Sequence, residues 1–194
     1  MSRVTIIAGS PTPGSRLFGL TDYVRERLIQ TGSAIDRISA AELPAEDLLR
    51  ANFGSPAIKA ALAAVESADA VVIASPVYKA AYSGALKTIL DLIPQKGLQG
   101  KVVLPLFIGG TIAHLLAVDY ALKPVVAALG GTHILSGVFA VDQWVSRLEN
   151  AGGYALEEQL RERLDEAVAE LNWELARDQL AAKEQKQGQV VGLG

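Results

Sequence analysis

Three short apolar runs limit what this chain can become: Val4–Ala8 (VTIIA), Asp69–Ser75 (DAVVIAS) and Lys101–Ile108 (KVVLPLFI). Each is nearly continuous rather than alternating, so each reads as a strand buried on both faces. Each stops at a breaker, respectively Gly9-Ser10-Pro11, Pro76 and Gly109-Gly110. Longer stretches with helical spacing separate them. Leu17, Leu20, Val24 and Leu28 form one stripe on a helix that Ser15 caps and that runs to about Gln30. Pro56 suits the first turn of a helix to about Glu66, and Gly84–Ile93 reads as another, stopped by Pro94. Ala113–Leu129 is a helix apolar nearly all round, ended by Gly130-Gly131. Ala34–Ile38 and Thr132–Leu135 are weaker strands, and Gly137–Val141 extends or follows the second. Residues 40–54 read as a loop or broken helix around Pro44. Leu156, Leu160, Leu164, Val168, Leu171 and Leu175 mark a long amphipathic C-terminal helix. Its periodicity fades from about Ala181, so residues 1–180 read as one domain and 181–194 as a flexible tail.

Alternation of buried strands with helices implies a parallel sheet covered on both faces. Five strands over residues 4–141 fit the flavodoxin-like form of the doubly wound α/β fold, a five-stranded parallel sheet. Such sheets bind ligands at the carboxyl ends of their strands. Composition then removes several classes of function. A net charge of −3 over 194 residues supplies no strongly basic surface, which argues against a nucleic-acid partner. The absence of cysteine excludes disulfides, thiolate metal sites and a cysteine nucleophile, and fits a cytoplasmic protein. Met1 is the only methionine, so sulfur use is close to minimal. Drift in an alanine-rich sequence accounts for that, and so does synthesis when sulfur is scarce. No secretory signal is visible. The longest uncharged run, Val102–Val118, is interrupted by Pro105 and Gly109-Gly110 and is no membrane span.

Three strand ends carry the chemistry. Gly9-Ser10-Pro11-Thr12-Pro13-Gly14-Ser15-Arg16 leads from a buried strand into a helix start, whose free N–H groups suit a phosphate. Ser10, Thr12 and Ser15 add hydroxyls and Arg16 adds charge. The loop matches neither the nucleoside-triphosphate nor the dinucleotide glycine pattern. Ser75-Pro76-Val77-Tyr78-Lys79-Ala80-Ala81-Tyr82-Ser83-Gly84 could present a flat aromatic wall to a planar ring, with Lys79 and Lys87 nearby. Gly109-Gly110-Thr111 allows a ligand close to bare backbone. Each loop also has an ordinary reading, as a connection, as packing aromatics and as a tight turn. His114 and His133 lack metal-ligand spacing: His114 reads as a packing or hydrogen-bonding residue before a proton donor, and His133 as structural. Asp22, Asp91 and Asp119 are scattered, so no catalytic carboxylate pair is evident.

Together these loops resemble the NADPH-dependent FMN reductase family of flavodoxin-like proteins. The run from Ser75 to Lys87 followed by Asp91-Leu92 is the most specific part. Residues 100–106 (GKVVLPL) and 109–124 (GGTIAHLLAVDYALKP) resemble the reductase component of two-component alkanesulfonate monooxygenases. The resemblance covers roughly residues 3 to 141. It implies that FMN is reduced by NADPH, with NADH as a possible donor, through hydride transfer from nicotinamide C4 to flavin N5. No side-chain acid or base is then required, and no catalytic residue is assigned. Ser10, Thr12, Ser15 and Arg16 would hold the flavin phosphate. Pro76, Val77, Tyr78, Lys79, Ser83 and Gly84, with Gly109, Gly110 and Thr111, would flank the isoalloxazine. Thr12 stands where the family often has arginine, and Leu17 where it often has serine or asparagine, which weakens phosphate affinity unless Arg16 compensates. The resemblance also implies an FMN-dependent monooxygenase partner and a homotetramer formed through the 113–129 region, without nucleic acid or membrane. There Pro124 clashes with the carbonyl of Tyr120, so the helix carries either a π-type bulge or a plain proline kink. Two other readings stand beside this one: an enzyme that retains FMN and reduces quinones, azo dyes or metal oxyanions, and a flavodoxin-like electron carrier, for which −3 is a weak charge.

Overall fold

The computed structural model describes residues 1–148 and 152–191, with side chains described through Ala181. Arg3–Ala8 forms β1, Leu17–Gln30 α1, Ala34–Ser39 β2, Ala45–Leu49 the short α2, Pro56–Ser67 α3, Ala70–Tyr78 β3, Ala81–Tyr82 β4, Gly84–Leu90 α4 and Val102–Gly109 β5. Lys123–Ala128 is α5, His133–Ile134 β6, Val138–Val141 β7, Val145–Arg147 β8, Tyr154–Leu156 β9 and Glu158–Val191 α6. The main sheet runs β2-β1-β3-β5-β6 with every pair parallel. That is the flavodoxin-like strand order.

Successive residues of each buried strand face opposite sides. Val4, Ile6, Ala70, Val72, Val102 and Leu104 meet α1 and α6 on one face. Ile7, Val71, Ile73, Val103 and Phe107 meet α3, α4 and α5 on the other. Leu17, Leu20, Val24 and Leu28 supply the α1 stripe, and Leu160, Leu164, Val168, Leu171 and Leu175 the α6 stripe, as their spacings require. Leu156 ends β9 instead of opening the helix, because the Glu157 N–H donates to the Trp144 carbonyl at 3.0 Å. The α6 backbone runs on to Val191, and of the tail expected over residues 181–194 the last three lie outside the described residues.

The sheet has seven strands rather than the expected five. One addition is β4, which folds back antiparallel on β3. The other arises because the fifth strand is broken: β6 pairs with Val102–Val103 of β5, and β7 with Leu106–Gly109 further along. The break at Leu135–Gly137 is steric. Gly137 has φ +74°, and a Cβ there would lie 2.5 Å from the Pro105 carbonyl oxygen.

The expected continuous helix over Ala113–Leu129 is three pieces. A 3-10 turn spans Ile112–His114, a π-helical turn spans Val118–Leu122, and α5 follows. Lys123 N–H donates to the Val118 carbonyl five residues back. The widened turn, not a plain kink, is how the chain accepts Pro124. No helix among the described residues is long and apolar enough to cross a membrane.

Gly137→Ala should force both a strained φ and an overlap with Pro105. We expect a loss of about 3 kcal/mol, read as a lower urea midpoint at unchanged slope.

Candidate active site

The ends of β1, β3 and β5 lie side by side, Ala8 opposite Ala74 and Pro76 opposite Ile108. With strands about 4.8 Å apart, the loops after β1 and β5 stand about 10 Å apart, and the loop after β3 lies between them. The sequence reading placed its candidate residues on these three loops, and the sheet brings all three to one edge.

In the first loop the Gly9 N–H donates to the Ala74 carbonyl at 2.8 Å, so the chain leaves β1 against β3. A Cβ on Gly9 would lie 2.4 Å from Leu86 Cβ, so only glycine lets α4 approach this closely. Ser10 is fully buried, and its hydroxyl bonds the Thr12 N–H and carbonyl at 3.3 Å each, closing the turn. Ser15 Oγ accepts the Leu17 N–H at 3.2 Å, the expected cap made one residue before the helix boundary. The N–H groups of Gly14 and Arg16 have no hydrogen-bond partner among the described residues. They stand at the positive end of a 14-residue helix, an arrangement that accepts an anion. Thr12 is exposed, while Arg16 donates its Nε to the Val145 carbonyl at 2.9 Å.

The second loop is a hairpin. Val77 pairs with Tyr82 and Tyr78 with Ala81, leaving Lys79-Ala80 as a two-residue turn. Both have positive φ, +50° and +63°, as a type I′ turn requires. Neither is glycine, so the turn stores about 1 kcal/mol per residue. Pro76 is buried at the hairpin base, whereas Tyr78 is half exposed and Lys79 exposed at its tip. Lys87 is ion-paired to Asp91 one helical turn on, which holds its ammonium above the usual range. Lys79 has no carboxylate within ion-pair distance among the described residues. Burial pushes the Tyr82 phenol up, only partly offset by Lys87, so it remains a protonated donor at neutral pH.

Ser83 joins the two loops. Its buried hydroxyl donates to the Gly9 carbonyl and accepts the Leu86 N–H at 2.9 Å, and its own N–H donates to Ser75 Oγ at 2.9 Å. It therefore faces inward as a brace. At Gly84 a Cβ would meet no atom within 4 Å, so the start of α4 is left bare toward the site. In the third loop, a Cβ on Gly109 would lie 3.3 Å from both Val77 Cβ and Phe139 Cζ. Gly110 is exposed with Asp142 nearby, and Thr111 Oγ1 accepts the Ala113 N–H at 3.3 Å. The cradle can hold an anion at the α1 start and a flat ring between the hairpin and Gly109–Thr111. No group of three or more metal-ligating side chains occurs among the described residues.

His133 Nε2 lies 3.4 Å from Glu174, far from the cradle, a structural place as expected. The sequence reading missed the β8–β9 hairpin. Val145 and Tyr154 sit on α1 where Gly19 has no side chain: a Cβ there would lie 2.8 Å from Val145 Cγ1. This docking brings Arg147 beside the first loop. No local pattern signals it, because the contact spans more than a hundred residues.

The model of the family described as NADPH-dependent FMN reductase matches residues 2–146. An FMN reductase (NADPH) from Escherichia coli is 54% identical over 143 residues, 74% of this chain and 75% of that one. One from Pseudomonas putida is 44% identical over 174 residues, 90% of this chain and 88% of that one. The crystal structure of an NADH:FMN oxidoreductase in its apo form superposes with a TM-score of 0.80 at 32% identity, covering 90% of both chains.

Ser83→Ala removes a helix cap and leaves the buried Gly9 carbonyl without its donor. The expected cost is about 2 kcal/mol of stability. Because the brace joins two loops of the cradle, the flavin KM should rise more than kcat falls, which steady-state kinetics at several flavin concentrations would check.

Proposed function

The chain belongs to the NADPH-dependent FMN reductase family, and we propose that it takes FMN as a transient substrate and passes the reduced flavin to a separate FMN-dependent monooxygenase. It is an oxidoreductase that uses FMN and NADPH. The observation that carries the transient-substrate reading is the openness of the cradle: Thr12, Tyr78, Lys79, Gly110 and Thr111 are all exposed, and nothing folds over them among the described residues. A flavin held on so open a surface leaves readily.

The residues present fit FMN. The free N–H groups of Gly14 and Arg16, with the hydroxyls of Thr12 and Ser15, would hold the phosphate at the α1 start. The Tyr78 side of the hairpin and the bare backbone at Gly109-Gly110 would flank the ring. When bound, the flavin supplies the hydride-accepting chemistry. The protein's part is to position rings and exclude side reactions, and no side chain need move a proton. Ser10 and Ser83 act one step back, holding the loops in shape.

The same reading extends to partners. Ile112, Leu115, Leu116 and Tyr120 form an exposed apolar face beside the cradle, with Leu116 50% and Tyr120 79% exposed. Such a face on a chain of this size is normally covered. A second copy of this chain is the proposed cover, within a homotetramer in the cytoplasm. The near-absence of sulfur, with no cysteine and one methionine, supports a role in sulfur scarcity and hence an alkanesulfonate monooxygenase as the partner.

The protein should isolate with far less than one flavin per chain and oxidise NADPH at a rate that saturates with added FMN. Mixed with a flavin-dependent alkanesulfonate monooxygenase, it should support sulfite release. A yellow protein with stoichiometric FMN, indifferent to added flavin, would instead be a retained-flavin reductase. Leu116→Glu should lower the assembly state in sedimentation without altering the far-ultraviolet circular dichroism.

A further inference from the structure

The two arginines near the first loop have exchanged places. Arg16, at the start of α1, donates its Nε away from the loop to the Val145 carbonyl of β8 at 2.9 Å. Arg147, two residues further along β8, reaches back: a Cβ built on Gly14 would lie 3.7 Å from one Arg147 Nη, 3.8 Å from its Cζ and 4.0 Å from the other Nη. No carboxylate among the described residues is within ion-pair distance of Arg147. Its charge therefore stands beside the unbonded N–H groups of Gly14 and Arg16.

We infer that Arg147 binds the flavin 5′-phosphate and that Arg16 is a positioning residue, which fixes the β8 strand so that Arg147 faces Gly14. The inference rests on the reading of this cradle as an FMN site and adds to it a residue from a distant hairpin. Two features of the chain favour it. Thr12 offers the loop a hydroxyl and no charge, so the loop itself has no cation to neutralise a phosphate dianion. The hairpin is held firmly at its base: Val145 is buried, Arg147 pairs with Tyr154, and both Val145 and Tyr154 fill the space over Gly19. A guanidinium carried on such a strand is directed to one place, and a planar fork matches two phosphate oxygens. A phosphate monoester also occurs on the ribose of NADPH, so the test must separate the two.

The discriminating measurement is KM for FMN and for riboflavin, with NADPH and with NADH, in the unaltered protein and in Arg147→Ala. Arg147 is exposed, so the variant should fold. The FMN KM should rise about tenfold while the riboflavin KM, kcat and the NADPH-to-NADH preference stay put. Inorganic phosphate should inhibit FMN reduction competitively in the unaltered protein and more weakly in the variant. Arg147→Lys should recover part of the loss. Arg16→Ala should reproduce the FMN effect, and adding it to Arg147→Ala should cost little more, because it acts through Arg147. Equal changes for both flavins, no change for either, a change confined to NADPH, or additive losses from the two arginines would each overturn the assignment. Failure of the unaltered protein to reduce FMN at all would instead remove the underlying reading.

Discussion

The parallel register of β1, β3 and β5 is the constraint on which the rest depends. Parallel neighbours cannot be joined by a tight turn, so every connection must cross a face of the sheet and return. Helices then cover both faces, and the strands must be apolar on both. The loops that leave the carboxyl ends are gathered at one edge for the same reason. A phosphate-accepting helix start, a hairpin and a glycine turn from distant parts of the sequence thus meet at one site.

Within that frame the cradle is fixed by small contacts. Gly9 lets α4 close on β1, and Ser83 then ties the first loop to the second. The strained pair Lys79-Ala80 is tolerable because β3 below it is locked in the sheet centre. Rigidity at the base and openness at the rim coexist here, which is the combination that transient binding of a large planar ligand requires.

Much of this was legible in the residues. Continuous apolar runs announced the central strands, Ser15 and Pro56 announced helix starts, and a four-residue leucine repeat announced α6. What escaped had physical reasons. A type I′ hairpin normally advertises itself with Asn-Gly or a similar pair. Lys79-Ala80 carries no such mark, so Tyr78–Tyr82 read as a flat aromatic stretch. The fifth strand was broken by contact between Gly137 and Pro105, two residues far apart in sequence. β8 and β9 are three residues each, too short for a periodicity to show. Proline at 124 signalled a disturbance but could not choose between a kink and a wider turn, since both remove the same clash.

The wider turn at Val118–Leu122 does more than admit Pro124. Val118, Leu122 and Val126 all point into the core, at a constant interval of four residues. On a regular helix of 3.6 residues per turn, each such step overshoots by about 40°, and the row would drift out of the core within two steps. A looser turn absorbs the overshoot, so the helix is a phase adjuster between two otherwise incompatible rows: an inward row spaced by four and an outward row that ends at Tyr120. Its length is therefore fixed from both sides at once. Side chains there can vary within their environments, but gain or loss of one residue would rotate everything downstream by about 100° and exchange core for surface.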